Sequence, residues 1–176
     1  MIHVSGLSSE RFNRGLKLLE LYESEARRCA RASAYYAACA MLGAALEASL
    51  LLTCSLDADE VTAALPTMTK KPQKSSMDRW TLDELIAVST HMGWLPTRRN
   101  PKGRKRIGDV VGFVQEMRNL LHAGRHLRRY PRRRLGGVAA RDVSEIFSAS
   151  LYWLEHKVIS DLRRDMDKAE AEGKPR

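Results

Sequence analysis

Apolar residues recur about one helical turn apart near the start of the chain, from Phe12 through Leu19 to Ala26. Two serines precede this pattern, and serine favours helix N-termini, so the first helix should begin near Ser9. Residues 27–33 are mostly polar and contain neither proline nor glycine. The sequence therefore leaves open whether the next helix is separate from the first or continuous with it.

Residues 34–56 are apolar on nearly every face, which predicts the central helix of a bundle. The stretch is long enough to raise the transmembrane question, but it contains Glu47, and a charged side chain near a bilayer centre costs about 2.5–3.5 kcal/mol. We therefore expect a buried core helix. A buried carboxylate needs a partner, and for Glu47 we expect Arg118 or Asn119. The alternative is that Glu47 faces a wet groove or a dimer seam.

A loop that could be mobile is predicted over 66–80, where the residues are polar, include two prolines and show no periodicity. Thr81 and Glu84 then have the spacing of a capping box, which predicts a short helix. Gly93 should end that helix, because glycine readily adopts the left-handed conformation of a helix C-terminus. A second loop, basic and punctuated by glycine and proline, is expected over 95–106.

Two further helices are predicted in the second half of the chain, over 107–122 and 139–162, from apolar residues at helical spacing. The tail over 165–176 is charged on every side and should fray. Alanine and leucine outnumber β-branched residues, and 176 residues with 44% apolar content suffice for one core. The sequence therefore predicts an all-α fold, a single-domain helical bundle of about five main helices over 1–164.

Positive charge is concentrated in one segment of the sequence, residues 98–134. This segment has thirteen Lys or Arg against two acids, whereas the remainder of the chain has seventeen against nineteen. Neutralisation of phosphates by Lys and Arg is the main sequence-independent source of nucleic-acid affinity, so we expect the segment to bind RNA or another polyanion. The residues predicted to contact nucleic acid are Arg98, Arg99, Arg104, Lys105, Arg106, Arg125, His126, Arg128 and Arg129.

Cysteine content and the N-terminal residues bear on the cellular compartment. Cys29, Cys39 and Cys54 are an odd number without metal-type spacing, so we interpret them as buried thiols in a reducing compartment. The first residues lack both the basic and the apolar region of a cleavable signal. We therefore expect a cytoplasmic protein that does not associate with a membrane.

Arg118 and His122 lie four residues apart in the predicted helix over 107–122, which places them on one face, with Asn119 about a quarter turn away. Histidine can transfer protons near neutral pH, and arginine binds phosphate with two parallel hydrogen bonds. The cluster is therefore a candidate catalytic site for RNA: His122 as general base on a 2′-hydroxyl, Arg118 stabilising the attacked phosphate and Asn119 orienting the pair. His122 and His126 lack further metal ligands nearby, so we predict no metal site.

Three segments of this chain, GAALEASLLL, TLDELIAVSTHMGWLP and RNLLHAGRHLR, resemble bacterial proteins of the HEPN superfamily, the higher eukaryotes and prokaryotes nucleotide-binding domain. The resemblance covers residues 18–162 and is most specific from Arg118 to His122. It implies an α-helical bundle that is commonly a homodimer. It also implies a metal-independent ribonuclease or toxin without a cofactor, in which Arg118 and His122 meet across the dimer interface. A cognate antitoxin or a nucleotidyltransferase would then be the expected partner protein.

A non-catalytic protein of the same kind is the alternative. Three residues separate Arg118 from His122, which is fewer than in the usual catalytic motif of the family. In this interpretation Arg118, Asn119 and His122 tie helix ends together through hydrogen bonds to carbonyl groups and to Glu47. The basic residues around them would then bind a nucleic acid, a nucleotide or an acidic partner protein.

Overall fold

The computed structural model describes residues 4–95 and residue 152 of the chain. These residues contain no strand, apart from one isolated bridge between Ser5 and Ser76. The predicted all-α character is therefore confirmed for this part of the chain. Its elements are the helices α1 (Ser9–Arg31), α2 (Tyr35–Leu56), α3 (Ala58–Ala64) and α4 (Leu82–His91), and two short 3-10 turns (Leu65–Thr67 and Met77–Arg79).

The second half of the predicted fold lies outside the described residues. This applies to the helices over 107–122 and 139–162, to the loop from residue 96 onwards and to the charged tail. Tyr152 is the exception, and it is helical and exposed. The bundle of five main helices over 1–164 therefore stays a prediction.

Helix α1 begins at Ser9, as the sequence predicted. Ser8 is the N-cap, with an extended backbone, and its hydroxyl accepts a hydrogen bond from the Arg11 N–H at 3.4 Å. The acceptor satisfies one of the amide groups that the first turn of a helix leaves without a partner. Glu10 adds a negative charge in the same turn, where the helix dipole favours it.

Helices α1 and α2 are separate, which answers the question that the sequence left open. The chain turns over residues 32–34, and Ser33 adopts a φ of 57°, a left-handed conformation that is uncommon for residues other than glycine. The Ala34 N–H donates to the Cys29 carbonyl at 2.8 Å and closes the turn. A connection of only three residues folds α2 back against α1 as an antiparallel helical hairpin.

The hairpin is closely packed at Gly15 of α1. A Cβ atom at this position would lie 2.9 Å from Cδ2 of Leu52 on α2, so a larger residue here would require the end of that leucine side chain to shift. Leu19 and Tyr22 continue the same side of α1 and pack against the core. The remaining surface of α1 carries its charged residues together with three exposed leucines, Leu16, Leu18 and Leu21.

Helix α2 is the centre of the described core. Leu46 and Leu50 are completely buried, and α2 packs against both α1 and α4. Among the described helices, α2 is long and apolar enough to cross a membrane by length and composition, but 61% of its apolar window is buried inside the protein. This burial agrees with the interpretation of residues 34–56 as a core helix.

Helix α4 has the ends that the sequence predicted. Thr81 and Glu84 form a complete capping box, in which each side chain accepts from the backbone N–H of the other. The helix ends before Gly93, which has a φ of 74°. After this turn the N–H groups of Trp94 and Leu95 both donate to the Ser89 carbonyl, and both side chains are buried.

The segment 66–80 is mainly a loop, as the sequence predicted, and it packs against the core. Four of its side chains are buried at intervals of about four residues and act as anchors: Met68, Pro72, Met77 and Trp80. Its backbone and side chains are also tied to residues far away in the sequence, among them Ser5, Arg11 and Glu84. Those distant contacts hold a segment that has no helical pattern of its own.

Candidate functional site

The predicted catalytic cluster cannot be placed in the fold. Arg118, Asn119 and His122 lie outside the described residues. The same holds for the nine residues predicted to contact nucleic acid: Arg98, Arg99, Arg104, Lys105, Arg106, Arg125, His126, Arg128 and Arg129. Their roles stay predictions.

Glu47 is the one predicted site residue that the structure describes. It lies on α2 and is half-buried, rather than fully buried as its apolar surroundings in the sequence suggested. It shares the less buried side of the helix with Ala40, Ala44 and Leu51, whereas Leu46 and Leu50 face the core. Glu47 is not without a partner. The partners that we predicted, Arg118 or Asn119, lie outside the described residues.

Within the described part, the most distinctive charged surface is the segment 66–80, which we call the lysine loop. It contains four cations, Lys70, Lys71, Lys74 and Arg79, and one acid, Asp78. The other residues between 4 and 95 include six Lys or Arg against ten Asp or Glu. The lysine loop is therefore a positive segment on an otherwise acidic part of the protein.

The first half of the lysine loop runs alongside α4 in the opposite direction. At its start, Thr67 contacts His91, the last residue of α4, with 2.9 Å between Oγ1 and Nε2. Further on, the Gln73 N–H donates to Oε1 of Glu84 in the first turn of α4, at 3.3 Å. These two anchors lie seven residues apart on the helix, which corresponds to about 10 Å.

The second half of the lysine loop is tied to the N-terminal part of the chain. The Ser5 N–H donates to the Ser75 carbonyl at 3.1 Å. Arg11 of α1 forms an ion pair with Asp78, with 2.8 Å between Nη1 and Oδ2. The indole N–H of Trp80 donates back to the Lys74 carbonyl at 2.7 Å. The backbone on both sides of Lys74 is thus held in one conformation.

The orientation of the lysine loop follows from its buried residues. Since Met68, Pro72, Met77 and Trp80 face the core, the cations between them are left on the outer surface, and all four are exposed. The Lys71 ammonium donates to the Pro66 carbonyl at 3.0 Å. None of the four cations forms an ion pair with any residue in the described part of the chain. By contrast, Arg27 and Arg28 of α1 pair with Glu23 and Glu25.

Two side chains, those of Glu84 and Asp78, hold the lysine loop in place as ionised carboxylates. Burial alone would raise the pKa of Glu84. This effect is outweighed, and the pKa is lowered, by hydrogen bonds from the Thr81 N–H, the Thr81 hydroxyl and the Gln73 N–H, together with the charge of Lys74. The pKa of Asp78 is lowered chiefly by the Ser76 hydroxyl, which donates to it, and also by the charges of Arg11 and Arg79. Both side chains therefore anchor the loop best as anions.

Thr67 connects the imidazole of His91 to the Ala64 carbonyl. Its hydroxyl donates to that carbonyl at 2.8 Å, and its oxygen lies 2.9 Å from Nε2 of His91. In the tautomer with the proton on Nε2, the ring donates to this oxygen. The contact ties α4 to the start of the lysine loop, and this is a structural role.

Other chemistry is sparse in the described part of the chain. Residues 4–95 and 152 contain no group of three His, Cys, Asp or Glu that could hold a metal ion. Cys29, Cys39 and Cys54 remain thiols, of which Cys39 and Cys54 are buried and Cys29 is half-buried. Burial raises the pKa of the Cys39 thiol, which disfavours the reactive thiolate. These cysteines do not suggest a nucleophile.

The sequence interpretation missed the lysine loop as a surface. It classified residues 66–80 as polar and aperiodic, which is correct for the backbone but ignores the regular spacing of Met68, Pro72, Met77 and Trp80. That spacing, with Lys70, Lys71 and Lys74 in between, was the available signal. The spacing does not reveal the ion pair that holds the loop to α1, because its two members, Arg11 and Asp78, are 67 residues apart in the chain.

Comparisons with known proteins add no constraint. No family model, no curated protein and no solved structure matches this chain. The described residues form an all-α arrangement with a basic loop beside α4, and the class of protein is defined only as all-α. The resemblance to the HEPN superfamily continues to depend on the sequence motifs.

Proposed function

We propose that this protein binds RNA through the basic segment 98–134 and cleaves it without a metal ion, as a HEPN-like ribonuclease that acts through Arg118 and His122. The observation that carries the proposal is the separation of charge along the sequence. The described residues 4–95 are close to neutral, with ten Lys or Arg against eleven acids, whereas 98–134 has thirteen against two. The most basic segment of the chain therefore surrounds the Arg118 to His122 motif.

The all-α character of residues 4–95 and 152 supports the HEPN-like interpretation, since that family is helical. Helix α2 contains the segment GAALEASLLL, which resembles the alanine-rich helix of HEPN proteins, and it is buried as expected for a core helix. Glu47, half-buried on α2, offers a carboxylate that fits a cation from another helix. These features agree with the proposal but are common to many helical proteins, so the motif and the charge carry it.

The proposed chemistry needs only groups of the chain, the RNA and solvent water. His122 removes the proton of a ribose 2′-hydroxyl, whose oxygen attacks the adjacent phosphorus atom. The bond to the 5′-oxygen breaks, and this leaving oxygen takes up a proton from solvent water, while His122 later returns its proton to solvent. Arg118 offsets the charge that develops on the phosphate, with Asn119 orienting the pair. The products are a 2′,3′-cyclic phosphate and a 5′-hydroxyl. In the proposed homodimer, the two copies of this pair meet at the interface.

A binding domain without catalysis is the second candidate, and the short spacing between Arg118 and His122 favours it. In this case the same basic residues hold a nucleic acid, a nucleotide or an acidic partner, such as a cognate antitoxin or nucleotidyltransferase. The two candidates share the expected affinity for polyanions. They differ in whether a bond is broken.

The test is incubation of the purified protein with a structured RNA in EDTA, beside His122→Ala and Arg118→Ala. The control is His156→Ala, which changes a histidine of the predicted helix over 139–162 that lies outside the Arg118 to His122 motif. We expect the wild type and His156→Ala to leave a 2′,3′-cyclic phosphate, and His122→Ala to be slower by about 10²–10⁴-fold, the usual contribution of a general base. Thermal melting must show that Arg118→Ala is folded before its activity is interpreted. An inactive wild type that still binds RNA would establish the binding domain instead. Sedimentation of the same preparation shows whether a dimer forms.

A further inference from the structure

The lysine loop has features that a solvated loop does not need. Its cations are exposed, it is held through the Thr67 side chain and through the backbone of Gln73 and Ser75, and its acid, Asp78, is already paired with Arg11. Positive charge on a preformed backbone costs little further ordering when an anion binds. We propose that the lysine loop is a second phosphate-contacting surface, which binds the backbone of a nucleic acid through Lys70, Lys71, Lys74 and Arg79.

The length of this surface decides how many phosphates it can contact. Thr67 and Gln73 contact His91 and Glu84, which lie about 10 Å apart on α4. Lys70 and Lys71 lie between these two contacts in the loop, and Lys74 follows directly after Gln73. In duplex DNA each strand has one phosphate per about 3.4 Å of axis, and an unstacked single strand spaces its phosphates more widely, so this span covers at most about three phosphates of one strand. The three lysines therefore contact at most about three phosphates.

The ligand chemistry follows from the arrangement of the cations. A small anion needs several donors that converge on one point, whereas Lys70, Lys71 and Lys74 follow one another along a loop that runs beside about 10 Å of α4, and all three are exposed. A series of exposed cations fits a repeating phosphate backbone, and contacts to phosphates carry no sequence information. The proposal rests on the RNA ligand of the proposed function, but it does not depend on Arg118 or His122.

The test compares two triple variants of the full chain that lose the same charge. In the first, Lys70→Gln, Lys71→Gln and Lys74→Gln remove the cations of the lysine loop. In the second, Arg27→Gln, Arg28→Gln and Arg31→Gln remove three cations from the far end of α1, about 24 Å along the helix from Arg11. Both variants change the net charge equally, so only a local contact separates them.

The measurement is fluorescence anisotropy with a labelled single-stranded RNA of twenty nucleotides, titrated at several salt concentrations from 50 to 300 mM. Each lost contact with a single strand lowers the slope of log K against log salt by about 0.7, so the loop variant should lose about 2 from the slope. At physiological salt this corresponds to binding that is weaker by about 10–100-fold. The α1 variant should keep the wild-type slope. A double variant, Lys70→Gln with Lys74→Gln, keeps the Lys71 contact with Pro66 and should lose about two thirds as much.

Several results would overturn the proposal. Equal slopes for the two triple variants would show that only net charge matters, and an unchanged slope in the loop variant would exclude the surface directly. Loop-dependent binding of polyglutamate but not of RNA would assign the surface to an acidic protein. The cleavage assay separates this inference from the proposed function. RNA binding that depends on the loop without cleavage leaves the inference in place and excludes the ribonuclease, whereas cleavage with an unchanged slope does the reverse.

Discussion

Glu84 connects the stability of α4 to the order of the lysine loop, and replacing it by alanine tests this connection. Its carboxylate accepts hydrogen bonds from the Thr81 N–H at 2.7 Å, the Thr81 hydroxyl at 2.9 Å and the Gln73 N–H at 3.3 Å. It also lies in the first turn of α4, where the helix dipole favours a negative charge. The substitution removes all of these interactions together.

The magnitude can be worked out from these contacts. Hydrogen bonds to a charged group contribute about 1.5–3 kcal/mol when buried, but Glu84 is near the surface and the freed amides can be hydrated, so we expect about 1–2 kcal/mol for the set. The first-turn charge adds about 0.3–1 kcal/mol. The free energy of unfolding should therefore fall by about 1.5–3 kcal/mol in Glu84→Ala.

Glu10→Ala is the matched control. Glu10 is also an acid in the first turn of its helix, but it is exposed and accepts no hydrogen bond from any described residue. It should cost only the dipole contribution, about 0.3–1 kcal/mol. Urea denaturation of both variants gives the difference, which isolates the hydrogen bonds of Glu84. Equal losses in the two variants would show that the capping box and the Gln73 contact contribute nothing.

Two further measurements follow from the same contacts. The Gln73 amide should exchange its hydrogen faster in Glu84→Ala, because its acceptor is gone, whereas the Ser5 amide, which is held by the Ser75 carbonyl, should be much less affected. The folded-state pKa values of Glu84 and Asp78 are lowered, so their contribution to stability is fully present above the unfolded-state pKa values. It is lost as the pH falls through the folded-state values. Wild-type stability should thus decline in acid below about pH 4, and Glu84→Ala should decline less steeply.

The remaining predictions concern packing. Gly6→Ala should lower the free energy of unfolding by about 1–3 kcal/mol, because the new Cβ would lie 2.9 Å from the Ser55 carbonyl oxygen and that backbone atom cannot move aside easily. Unchanged thermal stability of Gly6→Ala would show that the N-terminal segment is not held against α2. Leu50→Ala should cost about 2–5 kcal/mol, because Leu50 is fully buried, whereas Leu18→Ala, at a leucine that is 44% exposed, should cost much less. Similar losses in these two variants, measured by denaturation, would contradict the position of the core.

The sequence by itself determined where α1 and α4 begin and where α4 ends, because these boundaries depend on local signals, but it did not predict α3. The serine before α1, the Thr81 and Glu84 pair and the glycine after α4 each act on backbone groups within a few residues, so they can be read without the fold. Apolar residues on every side of α2 likewise predicted a core helix. The charge of 98–134 and the Arg118 to His122 motif are also properties of the sequence, and their function stays a proposal.

Only the tertiary structure decided three other features. The turn between α1 and α2 depends on a positive φ at Ser33, which has no signature such as glycine. Glu47 is half-buried because its side of α2 is the less covered one, and a helix that is apolar all round does not reveal which side that is. The lysine loop packs against the core with contacts to Ser5, Arg11 and Glu84, which lie outside the loop. Contacts between residues distant in the chain exist only after folding, and for this reason the sequence alone does not show that this polar segment packs on the core with its cations outward.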